Sequence, residues 1–220
     1  LVMVSQMTAT PPASAPATRW SRRKDVRPGE ILEAALKLFV EKGFRATKME
    51  DIAREAGVTK GTPYLYYENK EEIFKAVIRE GMLTKFDELE GLSGQDEASA
   101  ETRLRQVIYR WWESIGNTRL AGLSKLMIAE AANFPELASF YHAEVIVRCR
   151  NMVRHVLEEG VERGEFHILN MDHAVEIVIA PLLLAMVWKH SFHNFESAKF
   201  DMPAHLDNVL DILINGLKTR

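Results

Sequence analysis

Short polar and cationic side chains cluster at the start of one predicted helix, at Thr59, Lys60, Gly61 and Thr62. Residues of this kind can approach phosphates and base edges, because they are small, form hydrogen bonds or carry positive charge. A helix N-terminus also favours a nearby phosphate, since its free N–H groups are partially positive. The segment therefore has the chemistry of a nucleic-acid contact.

Three tyrosines follow this segment almost consecutively, at Tyr64, Tyr66 and Tyr67. A short helix can bury only part of such a cluster against its own domain. We therefore expect at least one phenol to be available to bind a phosphate oxygen.

A basic arm precedes the first helix, within residues 19–27. Its positive charges are Arg19, Arg22, Arg23, Lys24 and Arg27, against the single acidic residue Asp25. Such an arm can enter a minor groove, but it can equally be a solvated tail. The sequence leaves both interpretations open.

Enzymatic chemistry has little support in the sequence. His190 and His193 could share a helical face, but no carboxylate or cysteine at ligand spacing accompanies them, so no metal site is predicted. Cys149 lies between Arg148 and Arg150, which could lower its pKa, although a lone helical cysteine is far more often inert. No nucleophile elbow, phosphate-binding loop or GxGxxG motif is present, and we predict no catalytic residue and no cofactor.

The candidate DNA contacts require short helices to hold them. Apolar residues at i, i+3, i+4 and i+7 predict a first helix over 28–42. A capping box of Thr47 and Glu50 predicts the start of a second helix, which stops at Gly57, and a third helix is predicted to begin at Thr59. Two short helices joined by a tight turn form a helix-turn-helix, whose second helix can enter a major groove. An αα-hairpin with no DNA role is the alternative.

The rest of the chain is also helical by period, and no segment alternates as a strand does. Asn69 is predicted to start the fourth helix, and a polar loop is predicted at 91–98. Further helices are predicted at 102–116, 120–133, 135–148, 149–164, 171–192 and 203–218. The sequence therefore predicts an all-α fold, with an N-terminal three-helix DNA-binding bundle joined through the fourth helix to a larger C-terminal helical domain.

Composition and charge agree with a DNA-binding unit attached to a second domain. The 220 residues carry a net charge of −3, but the first 85 hold 15 Lys and Arg against 11 Asp and Glu, so that part is basic. Residues 1–18 are rich in Ala, Pro, Ser and Thr and are predicted to be disordered. They do not resemble a signal peptide, and the longest apolar run, 177–188, is shorter than the roughly 18 residues of a membrane span. We expect a cytoplasmic protein with no membrane partner.

Residues 31–78 resemble the N-terminal DNA-binding domain of the TetR (tetracycline repressor) family, through ILEAALKLFVEKGF, TKMEDIAREAGVTKGTPYLYY and NKEEIF. The resemblance implies an all-α homodimer, usually a repressor, that binds a palindromic double-stranded DNA operator and releases it when a small-molecule effector binds. It also implies a division into a tail at 1–18, a DNA-binding domain at 19–85 and a ligand-binding and dimerisation domain at 86–220.

The resemblance assigns roles to individual residues of the helix-turn-helix. It implies that Thr47 and Lys48 meet the DNA backbone at the start of the second helix. It also implies that Lys60, Gly61 and Thr62 face the major groove, with Gly61 allowing close approach.

Further roles follow for the residues after this face. Tyr64 and Lys70 are implied to contact phosphates, Tyr66 to lie near the DNA, and Tyr67 to occupy an aromatic core position. Pro63 departs from the usual aliphatic residue of the family. Because proline lacks an N–H group, we expect an altered first turn of the recognition helix without loss of function.

Residues 120–192 resemble the C-terminal domain of one branch of the family, through LMIAEAANFPELASFYHAEV, GVERGEF and IAPLLLAMVWKHSF. The resemblance implies ligand binding but names no effector. Large apolar side chains on predicted inner faces are either pocket lining or ordinary core: Trp111, Trp112, Met127, Phe134, Tyr141, Met152, Met186 and Trp188. Polar candidates that could orient a ligand are Arg148, Arg154, His155, His190 and His193.

The last two helices are predicted to form the subunit interface. Residues 177–188 are apolar on all sides, and Pro181 should kink that helix. The final helix carries a stripe formed by Leu206, Val209, Leu210, Leu213, Ile214 and Leu217. The alternative is that these helices only close the core of the monomer. The rival function is a helical protein-interaction module that has lost DNA binding, and an enzyme is the third choice.

Overall fold

The structure, a computed structural model, describes residues 27–91, 98–192, 195 and 201–218. The predicted tail at 1–18, the arm residues before Arg27, most of the predicted loop at 91–98 and His193 lie outside these ranges. The α-helices are α1 (Arg27–Lys42), α2 (Met49–Glu55), α3 (Lys70–Val77), α4 (Thr84–Glu90), α5 (Ala100–Trp111), α6 (Ala121–Glu130), α7 (Pro135–Tyr141), α8 (Val147–Glu162), α9 (Met171–Lys189) and α10 (Met202–Leu217).

The all-α fold class is confirmed. Over the described ranges the only β-type pairing is an isolated bridge between Phe166 and Lys218, beside which the His167 N–H donates to the Leu217 carbonyl at 2.7 Å. This bridge fastens the loop after α8 to the end of α10.

Phenylalanines fill the centre of the N-terminal unit. Phe39 on α1, Phe44 in the following turn and Phe74 on α3 have ring centroids 5.2–5.8 Å apart and are fully buried. Gly43, with φ +85°, ends α1 and lets the chain turn back so that Phe44 enters this centre. The predicted first helix and its glycine stop are confirmed.

The second helix begins later than predicted, and the capping box of Thr47 and Glu50 is wrong. α2 starts at Met49, and the Lys48 N–H donates to the Asp51 carboxylate at 3.3 Å. Thr47 cannot cap the helix because its hydroxyl donates to the Gly43 carbonyl at 2.8 Å. The predicted register is therefore off by one residue.

The third helix is not an α-helix. After a turn at 59–62, the chain forms a 3-10 helix at Pro63–Leu65. The N–H of Thr62 donates to Thr59 and that of Leu65 donates to Thr62, both in the i→i−3 pattern. Proline has no N–H for an α-helical bond, so the predicted alteration extends beyond the first turn.

Three π-helical turns lie within the long helical segments, at Ile78–Leu83, Trp112–Gly116 and His142–Ile146. The first joins α3 to α4, and the third joins α7 to α8 without a break. The separate helices predicted at 135–148 and 149–164 are therefore one continuous helical segment. Asn69 caps α3 as predicted, accepting from the Glu72 N–H at 2.9 Å.

The C-terminal bundle is organised around α8, which packs against α5 and α9. A buried ion pair joins the Arg103 guanidinium of α5 to the Glu159 carboxylate of α8 at 2.6 Å. α9 is long and apolar enough to cross a membrane by length and composition, but its inner residues are buried against α6 and α8. In this fold it is therefore a packed helix with one apolar face left uncovered.

Candidate DNA interface and ligand cavity

The predicted DNA face is largely exposed. Thr59, Lys60 and Gly61 lie at the surface of the turn, and Lys48 lies at the surface before α2. The Lys60 ammonium pairs with the Glu50 carboxylate at 2.5 Å, which raises the pKa of Lys60. Both side chains are more than half exposed, so this pair can open in favour of a phosphate or a base.

Two threonines expected at the DNA are not free to contact it. Thr47 is 1% exposed, and its hydroxyl is held by backbone carbonyls of the α1–α2 turn. Thr62 is buried, and its hydroxyl lies 2.8 Å from that of Thr59. These hydroxyls stabilise the turns that present their neighbours, and the DNA-facing roles implied for Thr47 and Thr62 stay predictions.

The Lys70 ammonium donates to backbone carbonyls of its own chain. It donates to the carbonyls of Phe44 at 2.8 Å and Thr47 at 3.2 Å, and to that of Arg45 at 3.4 Å. It also lies 4.5 Å from the centre of the Phe44 ring. Burial lowers the pKa of Lys70. The side chain ties α3 to the turn before α2, and the phosphate role implied for Lys70 stays a prediction that requires the ammonium to leave these carbonyls.

The tyrosine cluster divides as expected. Tyr64 and Tyr66 are exposed, whereas Tyr67 is partly buried and packs against the core. Leu65 is 77% exposed, although a leucine in a short helix usually packs against the core. The 3-10 turn after Pro63 explains this difference, and an exposed leucine beside Tyr64 is a candidate for apolar contact with a thymine methyl.

An apolar cavity of about 330 Å³ lies inside the C-terminal bundle. Residues from α4 to α9 contribute to its wall. Five of the predicted pocket residues line it: Trp111, Met127, Tyr141, Met152 and Met186. Its size lies near the lower end of the range for ligand sites.

Four predicted pocket residues lie elsewhere, and one of them, Trp188, is exposed on α9. The Trp112 ring is buried against Gly116, where a Cβ would lie 2.5 Å from it. Phe134 packs edge-on against Phe44 of the N-terminal unit, with ring centroids 4.8 Å apart. His155 is mostly exposed, 3.9 Å from Glu159. A helical period places a side chain on a face but cannot tell a cavity wall from other core.

The predicted polar ligand contacts are also used differently. Arg148 pairs with Asp87 and Glu90 of α4, and Arg154 pairs with Asp172 at the start of α9. These arginines therefore join helices. His190 lies outside the cavity wall, and burial lowers its pKa. Among the described residues, no three His, Cys, Asp or Glu side chains come together as a metal site requires.

Apart from Tyr141, the polar groups that line the cavity were not among the residues predicted from the sequence. Ser124 and Tyr141 lie in the wall with their hydroxyl oxygens 2.8 Å apart. Arg150 and Glu176 also line it, form a 2.6 Å ion pair and are partly exposed, so this side opens towards solvent. No spacing in the sequence indicates that these four residues meet.

Cys149 lines the cavity next to Arg150, but the lowered pKa that its arginine neighbours could cause is not found. Burial raises the pKa of its thiol to about 11, outweighing the neighbouring guanidinium of Arg150. A thiol with a raised pKa is almost entirely protonated at neutral pH and is a poor nucleophile.

The stripe on the last helix faces inward. Leu206, Leu210 and Ile214 are fully buried within one chain and belong to its core, whereas Val209, Leu213 and Leu217 are half-buried. The uncovered apolar surface is a different one, which we call the outer face. It consists of Ile177, Leu184 and Trp188 of α9 and Ile212 of α10.

The cavity and the DNA-binding unit are in physical contact. α6 contributes Ile128 and its C-terminal neighbour Ala131 to the cavity wall, and Phe134 three residues later contacts Phe44. At the other end of α6, Gly122 approaches α1 so closely that a Cβ would lie 2.6 Å from Val40. α6 and the residues after it therefore connect the cavity wall to both α1 and Phe44.

Two family models match the chain. The model described as bacterial regulatory proteins, tetR family, matches residues 31–77. The model described as tetracyclin repressor-like, C-terminal domain, matches residues 95–194. Together they cover about two thirds of the chain.

Individual relatives span nearly the whole chain. The fatty acid metabolism regulator protein of Bacillus subtilis is 25% identical over 194 residues, covering 87% of this chain and 95% of that protein. The fatty acid degradation regulator FadR of Bacillus halodurans superposes with a TM-score of 0.71 at 25% identity, covering 88% and 97%. FadR of B. subtilis in complex with stearoyl-CoA has the same fold, with a TM-score of 0.66 at 24% identity, covering 86% and 98%.

Proposed function

Because the chain belongs to the TetR family of bacterial regulatory proteins, we propose that it is a homodimeric repressor that leaves its operator when a fatty-acyl thioester binds. It is a DNA-binding transcriptional regulator that responds to a ligand. The finer proposal concerns the effector class, the sign of regulation and the dimer. We assign DNA binding to residues 19–85, and ligand binding and dimerisation to residues 86–220, in the cytoplasm where the chromosome lies.

The observation that carries the effector class is the cavity itself. Its wall is aliphatic, aromatic and sulfur-bearing, and suits a hydrocarbon chain. Its one cationic lining residue, Arg150, is partly exposed and can leave Glu176 for a phosphate outside the bundle. An apolar chain with an anionic head matches this arrangement, and two of the relatives are regulators of fatty acid metabolism.

The DNA contacts that we propose are the exposed ones. Lys60 and Gly61 face the major groove, with Thr59 beside them. Lys48 and Tyr64 contact phosphates, and Tyr66 lies next to them. Lys60 is the charge best placed for a base contact, because its ion-pair partner among the described residues is the exposed carboxylate of Glu50.

Selection of bound DNA from a random pool tests the DNA-binding part. A palindrome of two half-sites is expected, since a dimer holds two recognition segments at a fixed separation. Recovery of no preferred sequence would contradict it. Lys60→Ala should relax preference at symmetric positions by about 1–3 kcal/mol. Glu41→Ala, which removes an exposed charge on α1, serves as the control.

Titration of the selected operator complex tests the effector. Saturated acyl-CoAs from octanoyl to stearoyl should release the labelled operator, measured by fluorescence anisotropy, with an optimum chain length set by the cavity. Coenzyme A alone should leave the complex intact, because it cannot fill the apolar space. Release by coenzyme A, or by no acyl-CoA, would overturn the effector class while leaving the DNA-binding result standing.

The outer face supports the dimer. Ile212 is 74% exposed and Leu184 is 62% exposed, on two neighbouring helices of the monomer. Leu184→Glu together with Ile212→Glu should give a folded monomer by sedimentation, with weakened palindrome binding. Leu169→Glu is the matched control, because Leu169 is 94% exposed in the loop before α9. A double variant that sediments as the wild type does would exclude this face.

A further inference from the structure

The Ser124 and Tyr141 hydroxyls form an isolated polar pair in an otherwise apolar stretch of the cavity wall. Ser124 on α6 is 7% exposed, and Tyr141 at the end of α7 is 5% exposed. Their oxygens are 2.8 Å apart, and either hydroxyl can be the donor. In the part of the chain that the structure describes, this is the only hydrogen bond that either side chain makes.

The pair lacks an acceptor, among the described residues, for one of its two O–H protons. Two hydroxyls carry two O–H protons, and the bond between them uses one. Whichever hydroxyl donates, the other keeps a proton that no described protein acceptor receives. A buried donor left unpaired is costly, so such a group needs an explanation.

The position of the pair indicates where an acceptor would come from. Both residues line the cavity, so the second proton can be directed into it. Cys149, Arg150 and Glu176 line the same cavity. The wall therefore carries partly exposed charges at Arg150 and Glu176 and buried hydroxyls at Ser124 and Tyr141.

The charge state of the pair limits the kind of acceptor. Burial raises the pKa of the Tyr141 phenol, so it stays a neutral donor at physiological pH. A neutral donor suits a neutral oxygen such as a carbonyl. A carboxylate at this depth would lose its hydration with no cation beside it, since Arg150 lies at the opening.

We propose that the Ser124–Tyr141 pair donates a hydrogen bond to a carbonyl oxygen of the effector, so that the cavity selects acyl compounds over alkyl compounds of the same length and charge. This assignment rests on the proposed function. To the proposed function it adds a specific contact, which recognises the carbonyl group between the apolar chain and the anionic head of the effector.

A pair of probes that differ only at the carbonyl tests the assignment. Palmitoyl-CoA and its thioether analogue S-hexadecyl-CoA share chain and head, but the thioether has a methylene where the thioester has the carbonyl. Calorimetry should show that the wild type binds palmitoyl-CoA about tenfold more tightly, the effect of one net hydrogen bond. The double variant Ser124→Ala with Tyr141→Phe should bind both compounds equally.

A matched control separates recognition from shape. Val153→Ala alters the same cavity wall without removing a polar group, so it should change both affinities together and preserve their ratio. Thermal unfolding of each variant checks that it folds. If the double variant fails to fold, the wild-type ratio alone decides the proposal.

The outcomes distinguish this inference from the proposed function. Equal wild-type affinity for both compounds, with release of the operator by both, would overturn the inference and leave the effector class standing. A double variant that keeps the preference would also overturn the inference. Failure of both compounds to bind the wild type would overturn the effector class and the inference together.

Discussion

The two halves of the molecule use aromatic residues in opposite ways. In the N-terminal unit, three phenylalanine rings meet at 5.2–5.8 Å and fill the centre. In the C-terminal bundle, Phe86 and Trp111 stand around a cavity of about 330 Å³. One centre is filled and the other is hollow, although both are built from helices with buried apolar faces.

Polar side chains differ between the halves in the same way. In the N-terminal unit, Thr47 and Lys70 donate to backbone carbonyls and hold the turns in place. In the described part of the C-terminal bundle, one hydroxyl proton of the Ser124–Tyr141 pair has no protein acceptor, and the ion-pair partner of Arg150 is exposed. The comparison teaches that a unit that must present a fixed surface uses its donors internally, whereas a unit that accepts a ligand keeps donors available.

The largest expected effect tests the filled centre against the hollow one. Phe44→Ala removes a ring surrounded by other rings and should cost about 3–5 kcal/mol in the free energy of unfolding. Phe86→Ala removes an equally buried ring that faces the cavity, and should cost less because one side of it already lacks neighbours. Urea unfolding measures both. Equal losses would mean that the cavity wall packs as tightly as the N-terminal centre.

A second prediction separates a structural lysine from a DNA-facing one. Lys70→Met leaves the carbonyls of the α1–α2 turn without a donor, and should lower stability by about 1–3 kcal/mol. If Lys70→Met changes DNA affinity, the slope of log affinity against log salt concentration should stay unchanged. Lys60→Ala should leave the melting temperature unchanged and flatten the salt slope, by about one unit if it also meets a phosphate. A flattened salt slope in Lys70→Met would show instead that Lys70 contacts a phosphate.

A third prediction concerns the contact between the halves. Gly122→Ala places a methyl against Val40 and should cost about 1–3 kcal/mol by overpacking. It should also change operator affinity in the absence of ligand, because α6 then pushes on α1. Gly122→Ala with Val40→Ala should recover both properties. Gly29→Ala, where a Cβ meets nothing within 4 Å, is the control.

The smallest effect is chemical and leaves stability unchanged. Since burial raises the pKa of Cys149 to about 11, its alkylation by iodoacetamide should be slow at neutral pH and should accelerate as pH rises towards that value. Unfolding in urea should abolish the protection. Mass spectrometry is sufficient as a readout, because the chain has one cysteine. Rapid alkylation of the folded protein would show that the thiol is not enclosed.

Local signals predicted the elements that depend on local causes. Asn69 and Gly43 act where the sequence indicated, because a cap and a left-handed glycine are set by a few neighbouring residues. The spacing predicts Thr47 as the cap of α2, which is one residue too early. The Thr47 hydroxyl instead donates to the Gly43 carbonyl, a contact that spacing does not reveal. Pro63 departs from the usual aliphatic residue of the family, and the 3-10 helix that begins there extends to Leu65.

The remaining features depend on contacts between distant segments. The stripe at Leu206, Leu210 and Ile214 has the same period whether it meets its own bundle or a second subunit. Five of the eight predicted pocket residues line the cavity, but Phe134 lies on a helical face that meets the other unit. Arg150 and Glu176 are 26 residues apart, and only the packing of α8 on α9 brings them together.

Each π-helical turn contributes to the cavity wall: the first through Met82, the second through Ile115, and the third through Val145 and Ile146. A π-turn holds one residue more than a regular α-helical turn would. Deleting a residue there would restore the α-helix and leave the flanking helical segments in register, so mainly the side chains of the turn itself would change direction. Single-codon insertions and deletions inside helices, usually regarded as disruptive, are therefore an evolutionary route by which this scaffold can reshape its ligand site without changing its loops.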